Sequence, residues 1–165
     1  MTETTPGFGP TDAELLDLPT VFANDLFKDK VVLVSGGGSG LGKAAALLFA
    51  RLGATLVLCG RNEARLDAAR ELIERLDGAV MTQSMTIRDA DAVNETMEAI
   101  WNRFGRLDVL VNNAGGQFPQ AAIDYSVKGW NAVIDTNLNG TWYMMQAAAR
   151  KWRADHEQDK PVGNI

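Results

Sequence analysis

Most of the chemistry legible in the chain lies in the eight residues Ser35-Gly36-Gly37-Gly38-Ser39-Gly40-Leu41-Gly42. They join the apolar run Val31-Val32-Leu33-Val34 to an Ala- and Leu-rich stretch, and so turn a buried strand into a helix. Glycines at such a turn let the backbone approach a pyrophosphate, whose charge meets the free N–H groups that open the helix. Glycine also serves any tight turn, so it is the strand-to-helix context that makes Ser35, Gly36, Ser39, Gly40, Leu41 and Gly42 candidates for a nucleotide cradle. A second apolar run, Thr55-Leu56-Val57-Leu58-Cys59, leads into Gly60-Arg61-Asn62, with no carboxylate until Glu63. An acid at that place, about 20 residues past the glycines, would bind both ribose hydroxyls of NAD(H). Arg61 offers a guanidinium suited to a 2′-phosphate instead, which favours NADP(H) over NAD(H). The plainer alternative is a solvated arginine at a helix start.

The elements that must hold these residues can be read from periodicity. Lys43 to Leu52 forms the first helix, closed by Gly53. Asn62 caps a second, whose Leu66, Ala69, Leu72, Ile73 and Leu76 share one face up to Gly78. Ala79 to Met85 reads as a third strand. In the next helix Val93, Met97, Ile100, Trp101 and Phe104 recur at helical spacing until Gly105. Leu107-Asp108-Val109-Leu110-Val111 is the fourth strand, followed by a loop, a short helix around Trp130 to Thr136, and a long helix. The long helix carries Leu138, Trp142, Met145, Ala149 and Trp152 along one stripe, and Val162-Gly163-Asn164-Ile165 begins a fifth strand. This alternation predicts an α/β fold, a Rossmann-type doubly wound parallel sheet over residues 28–165, preceded by an arm over 1–27. Pro6, Gly7, Gly9, Pro10 and Pro19 punctuate the arm, which reads as mobile or draped, with its Val21–Phe27 segment packing on the domain.

Composition narrows the partners. The 165 residues are 46% apolar and 22% charged, ordinary for one globular domain. Sixteen basic against twenty-one acidic residues leave a net charge of −5, which disfavours binding to nucleic acid or to an anionic membrane surface. The single cysteine, Cys59, permits no internal disulfide, and the single histidine, His156, argues against a metal cluster. Residues 2–20 carry acids and no Lys or Arg, unlike a targeting peptide, and the run Ala44–Ala50 is too short to span a bilayer. A reduced, cytoplasmic protein is expected.

Two further signatures follow the glycines in order. Asn112-Asn113-Ala114-Gly115 comes after the fourth strand, and Asn137-Leu138-Asn139-Gly140 opens the long helix. With Gly36-x-x-x-Gly40-x-Gly42, they make the chain resemble the short-chain dehydrogenases/reductases over residues 28–165, with Ser35 where that family usually has Thr. The resemblance implies an oxidoreductase with a nicotinamide cofactor, whose ribose Asn113, Ala114 and Gly115 would line. Thr86-Ile87 stand where the family usually carries Asp-Val at the adenine, and a threonine hydroxyl accepts the same bond more weakly. Asn137 matches the asparagine of the family's catalytic set, which holds a water chain and kinks its helix.

The family's remaining catalytic residues, a Ser and a Tyr-x-x-x-Lys, follow the fifth strand, so the chain reads as an amino-terminal part that lacks them. Tyr125-Ser126-Val127-Lys128 has the wrong spacing and precedes Asn137, so it is not that pair. The run Asn113 to Pro119, Lys128-Gly129-Trp130, Asn137 to Thr141 and the arm's end Leu26 to Lys30 resemble the 2-enoyl-CoA and 2,4-dienoyl-CoA reductases of the superfamily. That likeness implies hydride transfer from NADPH to the double bond of an acyl thioester, with Gln117 and Phe118 at the substrate mouth; a simple loop turn is the alternative. A 3-oxoacyl or other carbonyl reductase is the sibling reading. A non-catalytic nucleotide-binding module is the third, and against it stands the apolar sheet edge it would leave beside strand four. The apolar stripe of the helix around Leu138–Trp152 suits the interface of a homo-oligomer.

Overall fold

The central strand must be apolar on both faces, because helices cover it from two sides. In the computed structural model, which describes residues 9–158 and 163–165, β1 (Val31–Ser35) is buried along its whole length. It pairs in parallel with β2 (Thr55–Gly60) on one side and β4 (Val109–Val111) on the other, and β3 (Val80–Ser84) lies outside β2. The strand order is therefore β3-β2-β1-β4, with Val31 opposite Thr55 and Ser35 opposite Cys59.

Two apolar layers follow from strand alternation. Val32, Val34, Leu56 and Leu58 face α2 (Gly40–Arg51) and α3 (Glu63–Glu74), meeting Ala46, Leu47, Leu66, Ala69 and Ile73. Leu33, Val57 and Cys59 face α4 (Ala90–Phe104) and a later helix, α6 (Thr141–His156), meeting Val93, Met97, Ile100, Met144, Ala148 and Trp152. Helices on both faces of a parallel sheet are the doubly wound arrangement that the alternation predicts. Asn62 caps α3 through the Arg65 N–H at 3.0 Å, and Asp89 caps α4 through Asp91 and Ala92.

Several boundaries differ from the periodic reading. The first long helix begins at Gly40, ahead of Lys43, because the glycine turn winds directly into it. Strand four begins at Val109; the preceding Asp108 carboxylate instead accepts the Val31 N–H at 2.9 Å. The short helix α5 runs Val127–Ile134 and passes into a π-helical segment, Asp135–Gly140, before α6. The supposed stripe divides: Leu138 and Trp142 face outward, while Trp152 is buried with Met144 and Ala148. At the helical twist Trp152 lies about 80° around the axis from Trp142, enough to turn its indole inward. There its Nε1 donates to the Leu107 carbonyl at 2.6 Å.

The arm holds an unexpected short helix, α1 (Asp12–Asp17), started by a capping box in which Thr11 and Glu14 satisfy each other's backbone. Asp12 pairs with Lys43, Arg51 donates to the carbonyls of Leu15 and Leu18, and Phe27 packs edge-on against Phe49 at 4.7 Å. Pro6 and Gly7 lie outside the described residues, as does Val162. Beyond it, Asn164 bridges in parallel to Val109, bonding Asp108 and Leu110 on the open side of β4. Among the described residues no helix is long and apolar enough to cross a membrane.

Candidate functional site

Ligands of doubly wound sheets bind beyond the carboxyl ends of the strands, where the strand order reverses. Here that point lies between β1 and β4, and a cleft of about 600 Å³ opens above it. Its floor is built from β1 outward. Ser35 is fully buried, and its hydroxyl accepts the N–H groups of Asn113 and Ala114 at 3.1 and 3.0 Å while lying 3.3 Å from the Val111 carbonyl it donates to. The Asn113 side chain donates to the Ser35 carbonyl at 2.9 Å. These bonds lock the turn after β1 to the turn after β4. Ser35 thereby shapes the cleft from beneath rather than lining it.

Two glycines make that closeness possible. Gly36 turns with φ of +68°, and a Cβ on Gly42 would stand 2.4 Å from both the Gly36 carbonyl oxygen and the Asn113 amide nitrogen. The glycine spacing thus lets the first turn of α2 pass directly over the end of β1.

The structure brings Gly36, Ser39, Arg61, Thr86, Ile87, Asn113, Ala114 and Gly115 together around the cleft. Gly40, Leu41 and Gly42 lie in the turn behind it, with Leu41 exposed. Thr86 accepts the Arg88 N–H at 3.4 Å, and buried Ile87 packs where Gly140 ends the π-helical segment. Sequence reasoning missed Gly38, Arg65 and Arg88, which line the same cleft. Arg61, Arg65 and Arg88 make no ion pair among the described residues, whereas Arg70, farther along α3, is paired with Asp67 and Glu74. Behind this rim the Cys59 thiol is buried, and burial pushes its pKa up to about 12, so it stays protonated and inert.

Asn137 lies on the π-helical segment and grips the Gly116 backbone with both ends of its amide, each bond 2.9 Å. It therefore ties the kinked helix to the loop after β4. Gln117 and Phe118 follow that loop outward and are exposed, outside the cleft lining. Phe118 packs edge-on to Tyr125, and Tyr125 to Trp130. Ser126 caps α5 by accepting the Gly129 N–H. Asn112 keeps its side-chain amide buried without a partner among the described residues.

This architecture is a doubly wound α/β sheet with a glycine-built turn at the cleft and arginines on its rim. The chain belongs to the short-chain dehydrogenase family, whose model matches residues 30–165. It is 40% identical over 136 residues to a probable 2,4-dienoyl-CoA reductase of Bacillus subtilis, covering 82% of this chain and 53% of that protein. It is 38% identical over 117 residues to a 3-oxoacyl-[acyl-carrier-protein] reductase of Thermotoga maritima, covering 71% and 48%. A short-chain dehydrogenase crystal structure from Bacillus anthracis superposes with a TM-score of 0.76 at 42% identity, covering 83% of this chain and 56% of that one. The chain spans about half the length of the curated relatives it matches. Members of the family bind a nicotinamide dinucleotide. The cradle at Gly36 and Gly42, which a Cβ would fill, and the three guanidinium groups, without ion pairs among the described residues, suit such a polyanion.

Proposed function

We propose that the whole protein is an NADP(H)-dependent oxidoreductase that reduces the double bond of a 2-enoyl-CoA or 2,4-dienoyl-CoA thioester. The observation that carries the cofactor half is Arg61 on the cleft rim at the end of β2, where no carboxylate stands to receive a ribose 2′-hydroxyl. The substrate half rests on the likeness to the probable 2,4-dienoyl-CoA reductase.

The bound cofactor supplies the hydride. In this reading the N–H groups of the turn from Gly36 to Gly42 would hold the pyrophosphate, and Arg61 the 2′-phosphate. Thr86 and Ile87 would border the adenine, with Asn113, Ala114 and Gly115 along the ribose. Ser35 holds the two turns at the spacing this requires. Asn137 holds the loop at Gly116, and Gln117 and Phe118, which follow it, would stand at the mouth through which an acyl chain would enter.

The protein would work as a homo-oligomer through the helix around Leu138–Trp152. Leu138 and Trp142, 61% and 53% exposed, support that reading. Cytoplasmic residence is in keeping with a lone cysteine held as a buried thiol.

The test is NADPH oxidation by the whole protein, offered a 2,4-dienoyl-CoA, a 2-enoyl-CoA and a 3-oxoacyl-CoA, with NADH as the competing donor. Turnover of the unsaturated thioesters with NADPH preferred is expected. Turnover of the 3-oxoacyl thioester alone would establish the second reading, a carbonyl reductase, which the likeness to the 3-oxoacyl reductase favours.

A further inference from the structure

Three arginines border one end of the cleft, and the cofactor reading uses only Arg61. The environment of Arg65 differs from that of an ordinary surface arginine in three ways. First, it occupies the opening turn of α3, the positive end of the helix dipole, where a cation works against the helix. Second, its charge has no ionic partner among the described residues, although Arg70, a little farther along the same helix, has two. Third, its backbone is fixed: Asn62 holds its N–H at 3.0 Å, and a Cβ on Gly38 would stand 3.1 Å from its carbonyl carbon and 3.2 Å from its own Cβ. The glycine turn thus crosses directly against the root of the Arg65 side chain, and both residues line the cleft. A cation held there, unpaired and disfavoured by its own helix, is repaid by an anion arriving from outside.

We propose that Arg65 is a specificity-determining residue that shares the 2′-phosphate of NADP(H) with Arg61. This rests on the NADP(H) reading above. Arg61 stands just ahead of the Asn62 cap and Arg65 in the helical turn after it, and both line the same cleft. A phosphate dianion has three terminal oxygens, enough to take charge-assisted bonds from two guanidinium groups at once. Preference for the phosphorylated cofactor is then divided between two residues rather than vested in one.

The test needs no turnover. Adenosine 2′,5′-bisphosphate and 5′-AMP are titrated calorimetrically into the whole protein, and the ratio of their affinities reads the 2′-phosphate alone. The wild-type protein binds the bisphosphate at least about tenfold more tightly. Arg65→Gln lowers that ratio about tenfold and leaves 5′-AMP binding within a factor of about two. Arg65→Lys, which keeps the charge but not the fork, loses part of it, and serves if the glutamine variant does not fold. Arg70→Gln leaves the ratio unchanged. If Arg61→Gln abolishes the preference while both Arg65 variants keep it, the proposal is overturned and the NADP(H) reading stands. Equal losses in Arg65→Gln and Arg70→Gln would reduce the effect to a diffuse field and also overturn it. A wild-type ratio near one would remove the NADP(H) reading, and the proposal with it.

Discussion

The two ends of the sheet treat charge in opposite ways. At the amino end Asp108 is surrounded by partners: the Val31 N–H at 2.9 Å, Arg106 through two nitrogens, and Lys30 at 3.5 Å. Burial pushes the Asp108 carboxyl up, but those donors and cations outweigh it and hold the group below the ordinary carboxylate value. At the carboxyl end the backbone is just as thoroughly satisfied, through Ser35 and Asn113, yet Arg61, Arg65 and Arg88 have no carboxylate partner among the described residues. Charge compensated within the chain serves stability. Charge left uncompensated over a cleft, on a frame this well satisfied, is what the proposed binding of a polyanion requires.

The hardest way to break this contrast is to push the cradle apart. Gly42→Ala puts a methyl 2.4 Å from the Gly36 carbonyl oxygen, which is fixed at the end of β1, and 2.4 Å from the Asn113 side-chain amide, which can move only by giving up its bond to the Ser35 carbonyl. A loss of about 3 kcal/mol in urea unfolding is expected, with dinucleotide binding lost as well. A variant that folds and binds as the wild type does would mean that the turn has slack the geometry denies.

Ser35→Ala separates frame from ligand contact more cleanly. It leaves the part-buried Ala114 N–H without its acceptor and takes one of two from the Asn113 N–H, which also donates to the Val111 carbonyl at 3.1 Å, at about 1–2 kcal/mol. Because the hydroxyl does not line the cleft, the affinity ratio between the 2′-phosphorylated and plain adenosine probes should hold in the molecules that remain folded. A change in that ratio as large as the one caused by Arg61→Gln would make Ser35 a ligand rather than a strut.

The amino end is tested by pH. Since the folded Asp108 has a lowered pKa, its contribution is fully present above its unfolded value and fades as pH falls through the folded one. Asp108→Asn should therefore cost about 1–2 kcal/mol at neutral pH, and the gap should narrow in acid below about pH 4. Parallel stability curves for the two proteins down to the acid transition would show that the charge of Asp108 adds no stability.

How much of this was legible follows from what each feature demands of the chain. The cradle was legible because backbone packed that closely tolerates only glycine, and because the elements on either side announced themselves. Arg61 was legible because it replaces an expected acid. Arg65 and Arg88 were not, since a lone surface arginine is commonplace and only the fold carries the loop after β3 to face α3. The capping box Thr11-x-x-Glu14 was written in the arm but hidden among prolines and glycines. The π-helical segment leaves no periodic trace, since it shifts the phase between α5 and α6 without changing the composition of either. The division between the exposed Trp142 and the buried Trp152 is hidden for a different reason: spacings of three and four residues drift around the axis, by about 80° over the ten residues between them.

The smallest expected effect sorts residues near the carboxyl end into those that meet the cleft and those that do not. Tyr125 has the chemistry of an acid/base residue, but its ring is engaged edge-on with Phe118 at 6.2 Å and Trp130 at 6.4 Å. The contacts that fix it belong to the ring, which phenylalanine keeps, and not to the hydroxyl. Tyr125→Phe should leave kcat of the whole protein within a factor of about two, because a general acid that matters contributes on the order of a hundredfold or more. Tyr125→Ala removes the ring and frees Phe118, so KM for the acyl substrate should rise while kcat holds. A large fall in kcat for the phenylalanine variant would move the reacting centre to the loop before α5, and with it the working end of the molecule.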